Sequence, residues 1–421
     1  FYICTYLNME TLSVRINKDS IRRYLSKLSI IILCVIMLYS MKPWFFWNGT
    51  TAILYALILL FISVRLPFIK KTLKRKQFIL CCLCLLMYSS VDLLDLVHPV
   101  FIIQYLFRNL LLVFFVILFS NDEKRNLVRI FTKVYSVILF VSIIAYIFYL
   151  LDISIPYTIM RYEYNTGYPS FKNYIFLIIR NETEFFSRFQ SIFLEPGHVG
   201  MISSLLLYVN QYNLKRISVF ILFISVLISF SLAAYVLLIL GMILYYLLKS
   251  KHYFRRVFRV SFFLCSAVVI SVIFYVNNPD SVYSKLVVAR LDYDEERGIS
   301  GNNRTNSQFD YYYDKAFLQK NDAFLGIGDE EFVRRFGSGN SSYKTFIVQN
   351  GIISLFFLFA FYCMLVYYCL SPVYVGLLIL YAASFLQRPY ALWEIELFLF
   401  MSAGSILKYK YNDKLFDYYS T

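Results

Sequence analysis

The stretch Ile217-Ser-Val-Phe-Ile-Leu-Phe-Ile-Ser-Val-Leu-Ile-Ser-Phe230 decides the fold. Wound as a helix it is apolar on every side, which suits burial in a bundle or contact with lipid, whereas a barrel strand alternates apolar and polar positions. Stretches of this kind recur along the chain, centred on residues 28–39, 52–64, 78–91, 100–119, 130–151, 197–209, 217–230, 233–248, 257–276, 346–370, 373–385 and 392–407. Crossing a bilayer takes roughly 20 mostly apolar residues, so about twelve spans are expected. The pair meeting at residues 230–232 is short enough for a tight hairpin or two half-helices. With 421 residues, 59% hydrophobic, 20% aromatic and 16% charged, the composition lies outside that of a soluble domain. The expected fold is an all-α, polytopic integral membrane protein.

Lys and Arg orient it. With the amino terminus inside, the inner segments carry 25 of the 41 basic residues, as the positive-inside rule requires. Two polar islands, 152–195 and 277–344, then fall outside and are nearly neutral, with 4 basic against 5 acidic residues and 9 against 11. The formal net charge of +15 is thus topological, spread over short loops, and nucleic acid is not an expected partner. The chain divides into a leader (1–27), spans one to five (28–151), the first island (152–195), spans six to nine (196–276), the second island (277–344), spans ten to twelve (345–407) and an inner tail (408–421). The first apolar run leads into Lys42-Pro43-Trp44 rather than a small-residue cleavage site, so it reads as a span and not a signal peptide.

Neither island contains any of the eight cysteines, which argues against an outer disulfide framework or thiolate metal site. In the first island, residues 171–187 read as a helix lying on the membrane surface. It leads through Arg188 into Glu195-Pro196-Gly197-His198, where Pro196 suits a first helical turn and Glu195 the cap on the positive end of the dipole. In the second, residues 305–320 read as a helix with a Thr305-x-x-Gln308 capping box. Its apolar stripe, Phe309, Tyr312, Tyr313, Ala316 and Phe317, would pack on the membrane surface, with Tyr311 on another face, free to stack on sugar or simply to pack. Asp292-Tyr293-Asp294 has the shape of a metal-diphosphate clasp, but matches this short arise by chance. Asp329-Glu330-Glu331 reads as a solvated run. Asp92 and Asp95, near the outer end of the third span, have Arg108 as a candidate partner; carboxylates inside a membrane are costly and face a partner or a cavity.

The pattern Arg188-x-x-Ser191-Ile192-Phe193-Leu194-Glu195-Pro196-Gly197, entering a span in mid-chain, resembles the segment seen in the O-antigen polymerase and ligase family of membrane glycosyltransferases (Wzy-type polymerases and their relatives). Three further features, in order, carry the likeness. They are Ser229-Phe230-Ser231-Leu232-Ala233-Ala234-Tyr235 between two short spans, Gly301-Asn302-Asn303-Arg304 followed by Phe324-Leu325-Gly326-Ile327-Gly328, and Asn340-Ser341 before Gly351-Ile352-Ile353-Ser354. The resemblance covers roughly residues 186–355; the first 150 match only in hydropathy.

The resemblance implies a polymerase of surface polysaccharide repeat units (O-antigen, capsule or exopolysaccharide) at the outer face of the bacterial inner membrane, with both termini cytoplasmic. The growing glycan would pass from undecaprenyl pyrophosphate to the next lipid-linked repeat unit, so donor and acceptor are both lipid-borne. Membrane lipids, a chain-length regulator and a flippase are the other implied partners. No cofactor or metal is expected. A pyrophosphate leaving group calls for fixed cations, best met by guanidinium groups, and an acceptor hydroxyl calls for a base. On that footing Glu195 (as base or acceptor-orienting residue), Arg188 and Arg304 are the catalytic candidates; Arg290, His198, Asn340, Tyr311 and Arg388 are the substrate-binding ones. Ligases of this kind place a His where Asn340 stands, which favours a polymerase. A ligase-type transferase remains the alternative, as does a polysaccharide flippase or secondary transporter, although no internal repeat supports a transporter.

Overall fold

Apolar stretches become helices because only a helix satisfies its own backbone polar groups when water is absent. In the computed structural model the chain is mostly helical. The structure describes residues 2–47, 51–69, 73–91, 99–162, 170–181, 186–249, 266, 269–270, 272–288, 293–294, 298–299, 304–319, 322–337 and 340–408. Before the second island run α1 (Tyr2–Ser40), α2 (Thr51–Arg65), α3 (Arg75–Val91), α4 (Pro99–Leu118), α5 (Asn121–Leu150), α6 (Pro196–Val209), α7 (Ile217–Ile228) and α8 (Leu232–Leu248). Three helices follow it, Tyr343–Cys369, Pro372–Gln387 and Glu394–Leu407. The leader is part of α1, which continues without a break into the first apolar stretch. Most of the stretch 257–276 lies outside the described residues.

Three described helices are long and apolar enough to cross a membrane: Thr51–Phe68, Asn121–Leu150 and Tyr343–Cys369. By contrast α6 and the Glu394–Leu407 helix have 14 residues each, about 21 Å at 1.5 Å per residue, short of a ~30 Å hydrocarbon core. These two short helices are the most deeply buried. α7, α8 and the Pro372–Gln387 helix pack around α6, and α1 and α5 around Glu394–Leu407. Buried tyrosines tie the layers together. Tyr208 donates to the Val373 carbonyl (2.7 Å), Tyr362 to Ala391 (2.5 Å), Tyr374 to Phe400 (2.9 Å) and Tyr381 to Glu396 (3.0 Å). Each ring fills space between helices while its hydroxyl meets a carbonyl, which accounts for part of the high aromatic content. At the other end of α5, Ser120 and Glu123 form a capping box, and Glu123 also binds the fully buried Arg65 at 2.8 Å.

The all-α expectation needs correcting in the islands. The surface helix expected over residues 171–187 is not what the described residues 171–181 form: β1 (Thr158–Met160), β2 (Phe171–Asn173) and β3 (Ile178–Arg180) make an antiparallel sheet in that order, with Lys172 opposite Ile159 and Ile179. The Asn173 side chain accepts from the Ile175 N–H (2.8 Å) and turns the chain with Ile175 at φ 71°. Ile178 then packs with Phe171, Trp47 and Leu194, while Leu177 and Ile179 join the main core. Burial of both faces of β3, with Leu177, Ile178 and Ile179 all covered, outweighs the helical spacing of the apolar residues. A second small pair joins β4 (Tyr293–Asp294) and β5 (Gly298–Ile299).

The second island has its own core, Phe309, Tyr313, Phe317 and Phe332 against Ile347 and Val348 of the Tyr343–Cys369 helix, rather than a stripe laid on a membrane surface. Its helix is capped by Asn306, one residue later than the Thr305 box, and passes into a π turn at Tyr313–Phe317. The island is tied on through a break in the long helix. Gly351 is non-helical (φ 80°, ψ 170°), which frees the Val348 and Gln349 carbonyls for the N–H groups of Ile327 (2.9 Å) and Gly328 (3.0 Å). A Cβ on Gly351 would fall 2.6 Å from the Leu325 carbonyl carbon. Gly351→Ala is therefore expected to cost about 1–3 kcal/mol, read as a lowered unfolding temperature of the detergent-solubilised chain; an unchanged temperature would mean the break does not depend on glycine.

Candidate active site at the mouth of the bundle

The segment Glu195-Pro196-Gly197-His198 has one task per residue. Glu195 is the N-cap of α6 in extended backbone, but its side chain makes no capping bond and instead accepts from Arg388 Nη2. Pro196 occupies the first turn, where its missing N–H costs nothing. At Gly197 a Cβ would lie 2.8 Å from Arg388 Nη2 and 3.1 Å from its Cζ, so the guanidinium rests against bare backbone. His198 is buried, with Nε2 3.3 Å from the Tyr390 hydroxyl. That hydroxyl also accepts from Arg388 Nη1 at 2.8 Å. The Tyr390 ring stacks on Trp393 with centroids 3.8 Å apart, and Trp393 meets the His198 ring edge-on at 5.1 Å.

The ion pair is well shielded: the side chains of Arg388 and Glu195 are 6% and 15% exposed. Burial works against the Arg388 charge, but Tyr390 and Glu195 outweigh it, and its pKa is raised above the ordinary arginine value.

Arg388 faces a cavity of about 570 Å³ between the bundle and the second island. The bundle contributes Gly197, Met201, Leu232, Gln387 and Arg388; the island side contributes Arg304, Thr305, Asp310, Asp314 and Lys344. Backbone pairing sets Arg304 in place, its carbonyl accepting from the Ser341 N–H at 2.7 Å. Lys344 bridges Asp310 (3.1 Å) and Asp314 (3.3 Å), and Thr305 donates to Asp310 at 2.7 Å. Among the described residues no group of three or more His, Cys, Asp or Glu is placed to hold a metal ion.

Of the residues singled out by sequence, Arg304 and Arg388 line this cavity, Glu195 stands behind Arg388, and His198 reaches Arg388 through Tyr390. Arg188 is half-buried and does not line it. Asn340 is spent on structure: its Oδ1 accepts from the Asn306 N–H (2.8 Å) and its Nδ2 donates to the Phe336 carbonyl (3.1 Å). Tyr311 is 71% exposed, away from the cavity. Arg290, Asp292, Asp92 and Asp95 lie outside the described residues. Arg108 comes within 3.9 Å of Glu394. Glu331, in the acidic run, is held below the usual carboxylate range by hydrogen bonds from Arg334 and Arg335.

Sequence reading missed Lys344, Asp310, Asp314, Tyr390 and Trp393. A signal existed for two of these, because Asp310 and Asp314 stand four apart beside the apolar stripe of Phe309, Tyr313 and Phe317, and so share one helix face. The chain matches no known protein family, no curated protein and no solved structure.

Breaking a buried ion pair from one side strands a charge. Arg388→Ala is expected to destabilise the chain by about 3–5 kcal/mol. The double variant Glu195→Gln with Arg388→Gln should cost less than the sum of its single changes. Unfolding of the four proteins in detergent tests this, and strict additivity would show that the two side chains are not coupled.

Proposed function

We propose that the chain is a polytopic membrane glycosyltransferase of the O-antigen polymerase kind, crossing the bacterial inner membrane about twelve times. Both islands then face outward and both termini inward, as the distribution of Lys and Arg favours. Large apolar side chains exposed on helix surfaces, among them Leu59, Val137, Phe140 and Phe356, support contact with lipid. The activity proposed is transfer of a growing glycan from undecaprenyl pyrophosphate to the next lipid-linked repeat unit of a surface polysaccharide.

One observation carries this reading. A single cavity collects three cations, Arg304, Lys344 and Arg388, together with two carboxylates, at the end of an apolar bundle. A lipid pyrophosphate brings several negative charges on an apolar tail, so its head needs fixed donors while its tail stays in lipid. Arg388, already held by Glu195 and Tyr390, meets phosphate oxygens without the entropy loss of a mobile side chain. Arg304 and Lys344 add charge from the island side. A flippase that delivers repeat units and a chain-length regulator are the partners this activity calls for.

Deletion of the gene in its host, with surface glycan length read on a gel, tests the assignment. Long chains are expected to vanish while a single capped repeat unit remains. Complementation with Arg304→Ala should fail to restore them although the protein reaches the membrane. Unchanged chain length, or loss of the single-unit species as well, would exclude a polymerase.

A further inference from the structure

A base must present a lone pair to the proton it takes, and the residues around the cavity differ in whether they do. Glu195 does not line the cavity: Arg388 stands between them, and the Glu195 carboxylate is tied to that guanidinium at 15% exposure. The two carboxylates that do line it belong to the second island. Asp310 has both oxygens engaged, Oδ2 with the Thr305 hydroxyl at 2.7 Å and Oδ1 with Lys344 at 3.1 Å. Among the described residues Asp314 is hydrogen-bonded only by Lys344, at 3.3 Å through Oδ1, and its side chain is 56% exposed. Its Oδ2 is left for another partner.

We propose that Asp314 is the catalytic carboxylate that receives the acceptor proton, and that Glu195 is a positioning residue that holds Arg388 toward the leaving group. This assignment rests on reading the cavity as the site of glycosyl transfer. In the step it serves, the acceptor hydroxyl oxygen bonds to the anomeric carbon of the donor sugar as the bond from that carbon to the pyrophosphate oxygen breaks. The hydroxyl proton passes to Asp314 Oδ2. The electron pair of the broken bond leaves on the lipid pyrophosphate, where Arg304 and Arg388 meet the added charge. Lys344 holds Asp314 by its other oxygen, so that the carboxylate is fixed before substrate arrives.

The division of labour separates binding from turnover. The full chain, purified in lipid nanodiscs, is titrated with undecaprenyl pyrophosphate, and the same variants are scored for chain elongation in the deletion strain. Asp314→Asn, a shape-conserving change at an exposed side chain, is expected to lower elongation by about 100-fold or more while affinity for undecaprenyl pyrophosphate stays within about twofold. Asp314→Glu should recover part of the loss. Glu195→Gln is expected to weaken binding of undecaprenyl pyrophosphate, because Arg388 loses its anchor, and to retain more elongation than Asp314→Asn. Full complementation by Asp314→Asn would overturn the assignment while leaving the polymerase reading intact. Equal loss of binding and elongation in Asp314→Asn would also overturn it, by showing that Asp314 acts through binding. Unaltered glycan length in the deletion strain itself would instead remove the reading on which the assignment stands.

Discussion

The mouth of the bundle depends on one buried ion pair between residues 193 positions apart, Glu195 at the start of α6 and Arg388 just past the end of the Pro372–Gln387 helix. Each charge is tolerable there only because the other is present, since a lone buried charge would carry a desolvation cost of several kcal/mol. The pair therefore fixes how two helix ends meet. Gly197 leaves room for the guanidinium, and the stack of Tyr390 on Trp393, closed by His198, holds it from the other side. A cation prepared in this way sits at the cavity before any ligand arrives.

The opposite side is built on a different principle. The second island folds around its own aromatic cluster and attaches to the bundle through backbone bonds at a glycine break, so its polar residues are carried as a unit. That arrangement brings Arg304, Asp310 and Asp314 up to the bundle on a core that closes against Ile347 and Val348 of the long helix. Lys344, in the first turn of the long helix, joins the two halves electrostatically. Cations and carboxylates thus share one space, with Lys344 paired to Asp310 and Asp314 and Arg388 paired to Glu195.

Particular residues show where sequence reading succeeded and where it failed. Pro196 stands in the first turn of α6 and Glu195 at its N-cap position as expected, because the proline preference arises within one helical turn; the Glu195 side chain, however, leaves the cap for Arg388. The strands at 171–180 were misread because Phe171, Tyr174, Ile175, Ile178 and Ile179 fit a helical period. The deciding influences were the Asn173 side-chain turn and the remote partners Trp47 and Leu194. Asn340, expected to touch substrate, is buried and bonds the backbone at Asn306 and Phe336, a structural role that its distance from those residues in the chain hides from sequence. Lys344 gave no local signal, since its acidic partners lie 34 and 30 residues earlier.

By itself the sequence determined the helical class, the apolar character of the helices and the two stretches able to hold polar chemistry. Hydropathy is a property of local runs, and a run reveals its own medium. The tertiary structure alone decided which charges meet: that Glu195 is occupied by Arg388, that Arg188 lies off the cavity and that Asp314 faces it. An ion pair depends on the distance between side chains, and residues so far apart in the chain acquire a distance only when the bundle packs.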